Sequence, residues 1–280
     1  MSNINERVGS AAKWSIFTEI IVKIISPITN MILARILVPE EFGVVATVTM
    51  IVSFADIFTD AGFQKYVVQH QFKTKEDEDL SINVAFWTNI TISVLLWLLI
   101  FLFAEQIATV VGNPGMGKVI YIGAAILPMT SFSSIQAAIF RKNLNYKELS
   151  FIRIIVKFIP LVVTVPLALM KFSYWALIIG NIAGELCNTL LLTYFSSWKP
   201  RLIYRVEKLK EMLQFCMWSL METISSWLVT NSGIFVLGTL FSQYYLGIYK
   251  TGTTMVAQIT SLISGATISV LFAGLSHASV

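Results

Sequence analysis

Polar side chains recur at helical spacing inside four long apolar segments of the sequence. Between residues 42 and 62, Ser53, Asp56 and Asp60 follow one another at steps of three and four, which places them on one face of a helix. An ionised side chain at the centre of a bilayer costs at least about 2.5 kcal/mol, so such a face should turn towards protein or a water-filled cavity. The four segments predict a polar cavity lined by Glu19, Lys23, Asn30, Ser53, Asp56, Asp60, Glu222, Ser226, Lys250, Thr254 and Gln258.

A purely structural interpretation stays open for each of these residues. Glu19 and Lys23 are four residues apart and can neutralise each other, and hydroxyl groups in membrane helices also bond the backbone or join helices. The alignment of four polar faces nevertheless favours a cavity. Glu185 and Lys157 stand nearly alone in their segments, and packing or snorkelling explains them equally well.

Catalytic and metal-binding patterns are weak in this sequence. The two histidines, His70 and His277, have no clear nucleophile as partner. The two cysteines, Cys187 and Cys216, have no second thiol or histidine at ligand spacing. No predicted outer loop exceeds about 15 residues, a length typical of plain connections. We therefore predict no catalytic residue, no metal site and no cofactor, and a protein that is not an enzyme.

The segments that carry the polar residues are long enough to cross a membrane. Hydrophobic residues make up 56% of the 280 residues, charged residues make up 13%, and the mean hydropathy is +0.74. A spanning helix needs about 20 mostly apolar residues, and long continuous apolar runs argue against barrel strands. We predict an all-α polytopic membrane protein with about eight spans, near 14–34, 42–62, 82–104, 119–140, 151–170, 175–196, 214–240 and 247–272.

The basic residues indicate the orientation of the chain. With the N-terminus in the cytoplasm, most of the 20 Lys and Arg residues fall in cytoplasmic segments or at their helix ends. The positive-inside rule therefore predicts that both termini of this chain are cytoplasmic. Because the basic residues are divided among short loops, membrane lipid is the better partner and no nucleic acid is expected. The acidic run from Glu76 to Asp79 is expected to be a solvated turn.

A weak internal repeat relates the first two predicted spans to the last two. When the sequence is shifted by 204 residues, eight of the 39 positions from Trp14 to Val52 are identical, among them Gly43 with Gly247. A repeat unit of six helices implies two parallel lobes with a substrate site between them, as in secondary transporters. We predict a six-helix lobe over residues 1–204 and the first two helices of an incomplete second lobe over 205–280, so the chain is expected to be truncated.

Several short motifs occur in the order found in one transporter family. They are Ile32 to Gly43 (ILARILVPEEFG), Asp60 to Phe63 (DAGF), Arg141 to Tyr146 (RKNLNY) and Leu246 to Thr251 (LGIYKT). As an ordered set they resemble the polysaccharide flippases of the multidrug/oligosaccharidyl-lipid/polysaccharide exporter superfamily. The resemblance implies a two-lobed helical transporter that moves lipid-linked oligosaccharides from the inner to the outer face of the bacterial cytoplasmic membrane by alternating access.

The resemblance also implies a cargo and roles for the cavity residues. The partners would be a polyprenyl-pyrophosphate-linked oligosaccharide, membrane lipids and other membrane proteins of polysaccharide assembly. Lys23 and Lys250 would contact the pyrophosphate and sugar acids of the cargo as point charges. The four predicted carboxylates would neutralise the lysines or bind a coupling ion. Two alternatives stay open: a cation-coupled multidrug antiporter of the same superfamily, and an inactive truncated membrane protein.

Overall fold

The protein is built from helices throughout the part described by its structure, a computed structural model. The backbone is described for residues 2–60, 62–258 and 260, and the side chains for residues 14, 17–18, 21–59, 62–258 and 260. No strand occurs among these residues, and the predicted all-α class is confirmed. The helices are α1 (Ser2–Ile36), α2 (Pro39–Asp60), α3 (Phe63–Gln69), α4 (Lys75–Leu102), α5 (Ala104–Val110), α6 (Gly117–Gly123), α7 (Ile126–Lys142), α8 (Tyr146–Leu169), α9 (Tyr174–Phe195), α10 (Val206–Leu240) and α11 (243–258).

Six segments in the described part are long and apolar enough to cross a membrane: α2, α4, α6 with α7, α8, α9 and α10. The protein is therefore a multi-pass membrane protein. The predicted span 119–140 is interrupted by a turn at Ala124 and Ala125, which separates α6 from α7. The first predicted span lies within α1. The eighth coincides with α11 up to residue 258, and most of the rest of it lies outside the described residues.

Local capping decides where several helices begin. Thr74 precedes α4, and its side chain accepts a hydrogen bond from the backbone N–H of Asp77 at 3.1 Å, which satisfies one of the free donors of a helix start. The carboxylate of Glu41 accepts a hydrogen bond from the backbone N–H of Val38 at 3.0 Å, at the start of α2. Gly62 has a φ of 88°, a left-handed conformation that favours glycine. This residue lets α3 leave the axis of α2 and pack against α7.

Helix α2 packs against other helices on several sides. It contacts α4, α6, α7, α9 and α10, whereas α1 packs mainly against α8 and α8 packs against α9. Large apolar side chains fill the spaces between these helices, including the fully buried Phe63, Phe86, Ile120, Leu127 and Ile135. Because of this central place, different parts of the surface of α2 meet different helices.

The acidic run from Glu76 to Asp79 belongs to the beginning of α4, so the expectation of a solvated turn is wrong. Asp77 pairs with Lys208 at 2.8 Å, and Glu78 pairs with Lys142 at 2.9 Å. Carboxylates in the first turn also interact favourably with the helix dipole. These carboxylates therefore have defined basic partners on α10 and α7.

Lys208 attaches the beginning of α10 to the beginning of α4. Its side chain is only 9% exposed and contacts Asp77 and Glu211 at 2.8 and 2.9 Å. The Tyr66 hydroxyl of α3 donates a hydrogen bond to Glu211 at 3.3 Å. Burial raises the pKa of Tyr66 to about 12, so the phenol keeps its proton and remains a donor at physiological pH. Three helices are thus joined by one polar network.

Replacing Lys208 with methionine should lower stability by about 1–3 kcal/mol, because partly buried carboxylate oxygens then lose their donor. The expected observation is a lower thermal unfolding midpoint of the purified protein in detergent. Lys210→Met is the matched control, since Lys210 lies on the same helix and is exposed. Equal midpoints for the two variants would show that the network contributes no measurable stability.

Candidate functional site

Asp56 lines a polar cavity between α2, α7 and α9. Its Oδ1 atom accepts hydrogen bonds from Thr59 Oγ1 at 2.9 Å and from Thr130 Oγ1 at 3.2 Å. The cavity has a volume of about 280 Å³, and Asp56 and Thr130 also line a second cavity of about 320 Å³. Thr130 stands halfway along the span formed by α6 and α7. The hydrogen bond from the Thr130 hydroxyl therefore links Asp56 of α2 to a second membrane span of the same bundle.

Glu185 lines both cavities from α9. Its Oε1 atom accepts hydrogen bonds from Ser133 Oγ and Asn188 Nδ2, each at 3.0 Å. Over the described residues, neither Glu185 nor Asp56 forms an ion pair, and the second oxygen of each carboxylate accepts no hydrogen bond. Both carboxylates line the same two cavities. Two acidic groups thus share a membrane-embedded cavity.

The smaller cavity becomes basic towards the end of α7. Arg141 lines it and donates a hydrogen bond from Nη1 to Gln64 Oε1 at 2.8 Å, and Arg153 of α8 lines it as well. Arg141 follows Ser133 by eight residues, which corresponds to about 12 Å along a helix. The cavity therefore has an acidic part at Asp56 and Glu185 and a basic part at Arg141 and Arg153.

Helices α2 and α10 meet through a tryptophan. Trp227 Nε1 donates a hydrogen bond to Ser53 Oγ at 2.9 Å, and the Trp227 ring centroid lies 4.7 Å from that of Phe54. Earlier on α10, Glu222 pairs with Lys65 of α3 at 3.0 Å. Both of these charged side chains are largely exposed, so their pair contributes little stability. The buried part of the α2–α10 contact lies around Met50 and Ile234, and the half-buried Trp227 packs against it.

Two glycines let the beginnings of α2 and α11 approach closely. A Cβ atom at Gly43 would overlap the carbonyl oxygen of Gln243, and a Cβ atom at Gly247 would overlap the carbonyl oxygen of Pro39. The two contacts are reciprocal, because Gln243 and Gly247 follow Pro39 and Gly43 by 204 residues. We call this contact the glycine crossing.

Asn113, in the connection between α5 and α6, ties the glycine crossing to its surroundings. Its amide donates a hydrogen bond to Thr47 Oγ1 at 3.3 Å, and its Oδ1 accepts one from Gln243 Nε2. The neighbouring Gly112 lies directly against the backbone of Gly238 in α10. At this end of the bundle, a Cβ atom at Gly43, Gly112 or Gly247 would overlap a backbone carbonyl oxygen of a neighbouring segment.

The predicted site residues on α2 and α10 lie in different surroundings. Asp56 and Ser53 both line the larger cavity inside the bundle. Ser53 also accepts the hydrogen bond of Trp227 from α10, and Glu222 lies along the contact of α10 with α3. Ser226 is exposed, and its carbonyl oxygen accepts a hydrogen bond from Thr230. The structure thus brings Asp56 together with residues that the prediction did not include.

The remaining predicted site residues lie on α1, α11 and at the end of α2. Five of them have half-buried side chains: Lys23, Asn30, Lys250, Thr254 and Gln258. The side chains of the other two, Glu19 and Asp60, lie outside the described residues. A single cavity lined by all four polar faces stays a prediction.

Sequence reasoning missed the partners of Asp56, because Thr130 belongs to another helix and no pattern within one helix connects the two. One signal was present in the sequence. Asn181, Glu185 and Asn188 follow one another at steps of four and three, which gives α9 a polar face of its own. Glu185 therefore belongs to a polar face of α9 together with Asn181 and Asn188.

The sequence matches a known protein family along most of its length. The family is described as "Polysaccharide biosynthesis protein", and it matches residues 32–279. The chain belongs to this family. This membership confirms the resemblance that the ordered motifs indicated. The matched residues include the helices that form the cavity and the glycine crossing.

Three curated relatives of this family member are similar over most of the chain. The succinoglycan biosynthesis transport protein ExoT of Rhizobium meliloti (strain 1021) is 24% identical over 259 residues, which are 92% of this chain and 52% of ExoT. The lipopolysaccharide biosynthesis protein WzxC of Escherichia coli (strain K12) is 24% identical over 254 residues, 89% of this chain and 50% of WzxC. The teichuronic acid biosynthesis protein TuaB of Bacillus subtilis (strain 168) is 22% identical over 252 residues, 89% of this chain and 51% of TuaB.

The chain spans about half the length of the curated relatives it matches. No solved structure matches it significantly. The sequence similarity therefore defines the family. The geometry of the cavity and of the glycine crossing is known from the structure of this chain alone.

Proposed function

We propose that the protein is a flippase that moves a lipid-linked oligosaccharide across the bacterial cytoplasmic membrane during synthesis of a surface polysaccharide. The observation that carries this proposal is the family match over residues 32–279 in a chain with six segments able to cross a membrane. One relative is named as a transport protein of succinoglycan biosynthesis. Two others are named for the biosynthesis of lipopolysaccharide and of teichuronic acid.

The proposed mechanism is alternating access between two lobes, of which residues 1–204 form the first and residues 205–280 begin the second. Such a cycle needs lobes that close at one membrane face while the other face is open. The glycine crossing supports this division, because a two-fold axis between repeats 204 residues apart would produce reciprocal contacts of this kind. With both termini of the chain in the cytoplasm, the crossing closes the outer face.

Lys23 and Lys250 are the proposed contacts of the cargo pyrophosphate. Both side chains are half-buried, and an ammonium group binds phosphate as a point charge. The basic residues at the cytoplasmic helix ends would hold anionic lipid headgroups. The proposed role is transport without catalysis, and further membrane proteins of polysaccharide assembly are the proposed protein partners.

Deleting the gene that encodes this chain from its host tests the proposal. Because a flippase acts after its cargo is assembled, the deletion strain should lose surface polysaccharide and accumulate the lipid-linked precursor. Mass spectrometry of lipid extracts and quantification of cell-surface polysaccharide measure the two effects, and the gene supplied on a plasmid should reverse both. Loss of polysaccharide with depleted precursor would indicate an enzyme instead, and an unchanged strain would contradict a flippase.

The acidic cavity favours one second candidate, a cation-coupled multidrug antiporter. Asp56 and Glu185 form no ion pair within the described part of the chain, and such groups in membrane segments commonly serve ion pathways. The same deletion strain separates the two functions. An antiporter predicts sensitivity to cationic drugs with normal surface polysaccharide, whereas the flippase predicts the reverse.

A further inference from the structure

The connection between α9 and α10, residues 196–205, is held against the side of α4. The backbone N–H of Arg201 donates a hydrogen bond to Asn83 Oδ1 at 2.6 Å, and its carbonyl oxygen accepts one from Trp87 Nε1 at 2.8 Å. The connection contains neither helix nor strand, so these bonds satisfy backbone groups that secondary structure would otherwise pair. Helix α4 therefore fixes the place of this connection in the bundle.

The beginning of α4 marks the boundary between water and the membrane interior. Its first five residues, 75–79, are all charged, whereas residues 80–104 include no charged side chain. Because charge is costly within the hydrocarbon layer, the lipid headgroups lie close to the junction of these two stretches. Asn83 and Trp87 follow that junction by about one and two helical turns, and tryptophan is enriched at the membrane interface. The connection therefore lies where headgroups meet acyl chains.

Charged side chains of both signs line a cavity between this connection and the beginning of α4. Its volume is about 400 Å³. We call it the mixed-charge cavity, and the charged residues that concern us here are Glu76, Asp79, Arg201 and Arg205. Among the described residues, none of these four side chains forms an ion pair, whereas Asp77, which also lines the cavity, pairs with Lys208. The cavity thus holds two cationic and two anionic groups apart.

Exposed apolar side chains lie beside the mixed-charge cavity. Leu202 is 88% exposed, and Ile203, which lines the cavity, is 43% exposed. Their neighbour Arg201 is bound to residues on the apolar part of α4. Contact of such side chains with water is unfavourable, whereas acyl chains cover them at this depth. A molecule with both charges in its head and apolar tails matches this surface.

We propose that the mixed-charge cavity binds the headgroup of an aminophospholipid of the phosphatidylethanolamine type. Its phosphate lies between Arg201 and Arg205, because guanidinium groups form paired hydrogen bonds with phosphate oxygens. Its ammonium group donates hydrogen bonds to the carboxylates of Glu76 and Asp79, and its acyl chains cover Leu202. The site depends on the place of the chain in a membrane and does not rest on the proposed transport.

The two charges of the headgroup distinguish this lipid from others. Phosphatidylcholine carries the same phosphate, but its methylated nitrogen has no N–H to donate to a carboxylate. Phosphatidylglycerol has no ammonium group, so the two carboxylates would repel its phosphate without compensation. General attraction of anionic lipid to basic residues favours phosphatidylglycerol instead. The order of the three affinities therefore separates a specific headgroup site from general attraction.

Native mass spectrometry of the purified full chain in detergent tests the site, with one phospholipid added at a time. Phosphatidylethanolamine should bind at least about tenfold more tightly than phosphatidylcholine with the same acyl chains, since a hydrogen bond to a charged group is lost with the latter. It should also bind more tightly than phosphatidylglycerol. Equal or tighter binding of phosphatidylglycerol overturns the proposal, because attraction of anionic lipid to the arginines would then suffice.

Two double variants test the two halves of the headgroup separately. Glu76→Gln with Asp79→Asn should abolish the preference for phosphatidylethanolamine over phosphatidylcholine. Arg201→Gln with Arg205→Gln should weaken the binding of both lipids roughly tenfold, because both carry the phosphate. A preference that survives in the carboxylate variant, or native affinities in the arginine variant, would refute the site.

The control is the double variant Glu148→Gln with Lys210→Gln. Both residues are exposed near the beginnings of other helices and do not line the cavity, so both lipids should bind as they do to the native chain. The four cavity side chains are exposed as well, and equal unfolding midpoints would exclude misfolding as the cause of weaker binding. The expected lipid order in a protein whose gene deletion leaves polysaccharide normal would keep the site and refute the flippase alone.

Discussion

Leucine at position 247 should prevent the beginnings of α2 and α11 from meeting and should abolish polysaccharide export. A Cβ atom at Gly247 already overlaps the carbonyl oxygen of Pro39, a backbone atom that cannot rotate away. Overpacking costs typically about 1–3 kcal/mol. At the upper value, the closed state loses roughly a hundredfold in population, since about 1.4 kcal/mol corresponds to a factor of ten. A transporter that cannot close its outer face cannot complete an alternating-access cycle.

A cysteine at position 50 reports the closure directly. Met50 is 4% exposed and lies on α2 about two turns deeper than the glycine crossing. Cys187 and Cys216 are first replaced by serine and alanine, so that Met50→Cys carries the only thiol. In intact cells this thiol should resist a membrane-impermeant maleimide, and it should react when Gly247→Leu is added.

Gly252→Leu is the control for the added side chain. Gly252 lies on the same helix as Gly247, and a Cβ atom built there meets nothing within 4 Å. This variant should export polysaccharide normally and leave the reporter cysteine protected. If Gly247→Leu reaches the membrane in equal amount, exports normally and keeps the reporter unreactive, the glycine crossing is not the outer closure.

The membrane spans were predictable because the information for a span is local. The predicted spans at 151–170 and 175–196 correspond closely to Tyr146–Leu169 and Tyr174–Phe195. A bilayer about 30 Å thick imposes a minimum length of apolar sequence, and any window of that length can be judged alone. The acidic run at 76–79 shows the limit of local reasoning. The same acidic residues are compatible with a turn or with the first turn of a helix. Their basic partners, Lys142 and Lys208, are distant in the sequence.

The cavity was not predictable from single helices because α2 has neighbours on several sides. Helical periodicity places Ser53 and Asp56 on the same face. Successive residues of a helix are nevertheless rotated by about 100°, so a step of three leaves the two side chains about 60° apart. In the structure that difference suffices for Ser53 to meet Trp227 of α10 while Asp56 meets Thr130 of α7. Which neighbour each one contacts depends on the packing of the whole bundle.

Replacing both Lys23 and Lys250 with alanine should reduce polysaccharide export roughly tenfold to a hundredfold. A hydrogen bond to a charged group contributes about 1.5–3 kcal/mol, and both lysines are half-buried, where solvent screens charge less than at the surface. The measurement is the rate of surface polysaccharide appearance in the deletion strain carrying each variant. Lys118→Ala is the control, because Lys118 is exposed, and it should export at the native rate.

The role of Lys23 can be separated from simple charge neutralisation. Arginine at position 23 keeps the positive charge and should retain most of the export rate. If Lys23 served only to neutralise Glu19, four residues earlier, it would be dispensable once Glu19 carried no charge. Adding Glu19→Gln to Lys23→Ala would then restore export, which would contradict a cargo contact. Export that stays low in this combination leaves binding of the anionic cargo as the reason that the charge is required.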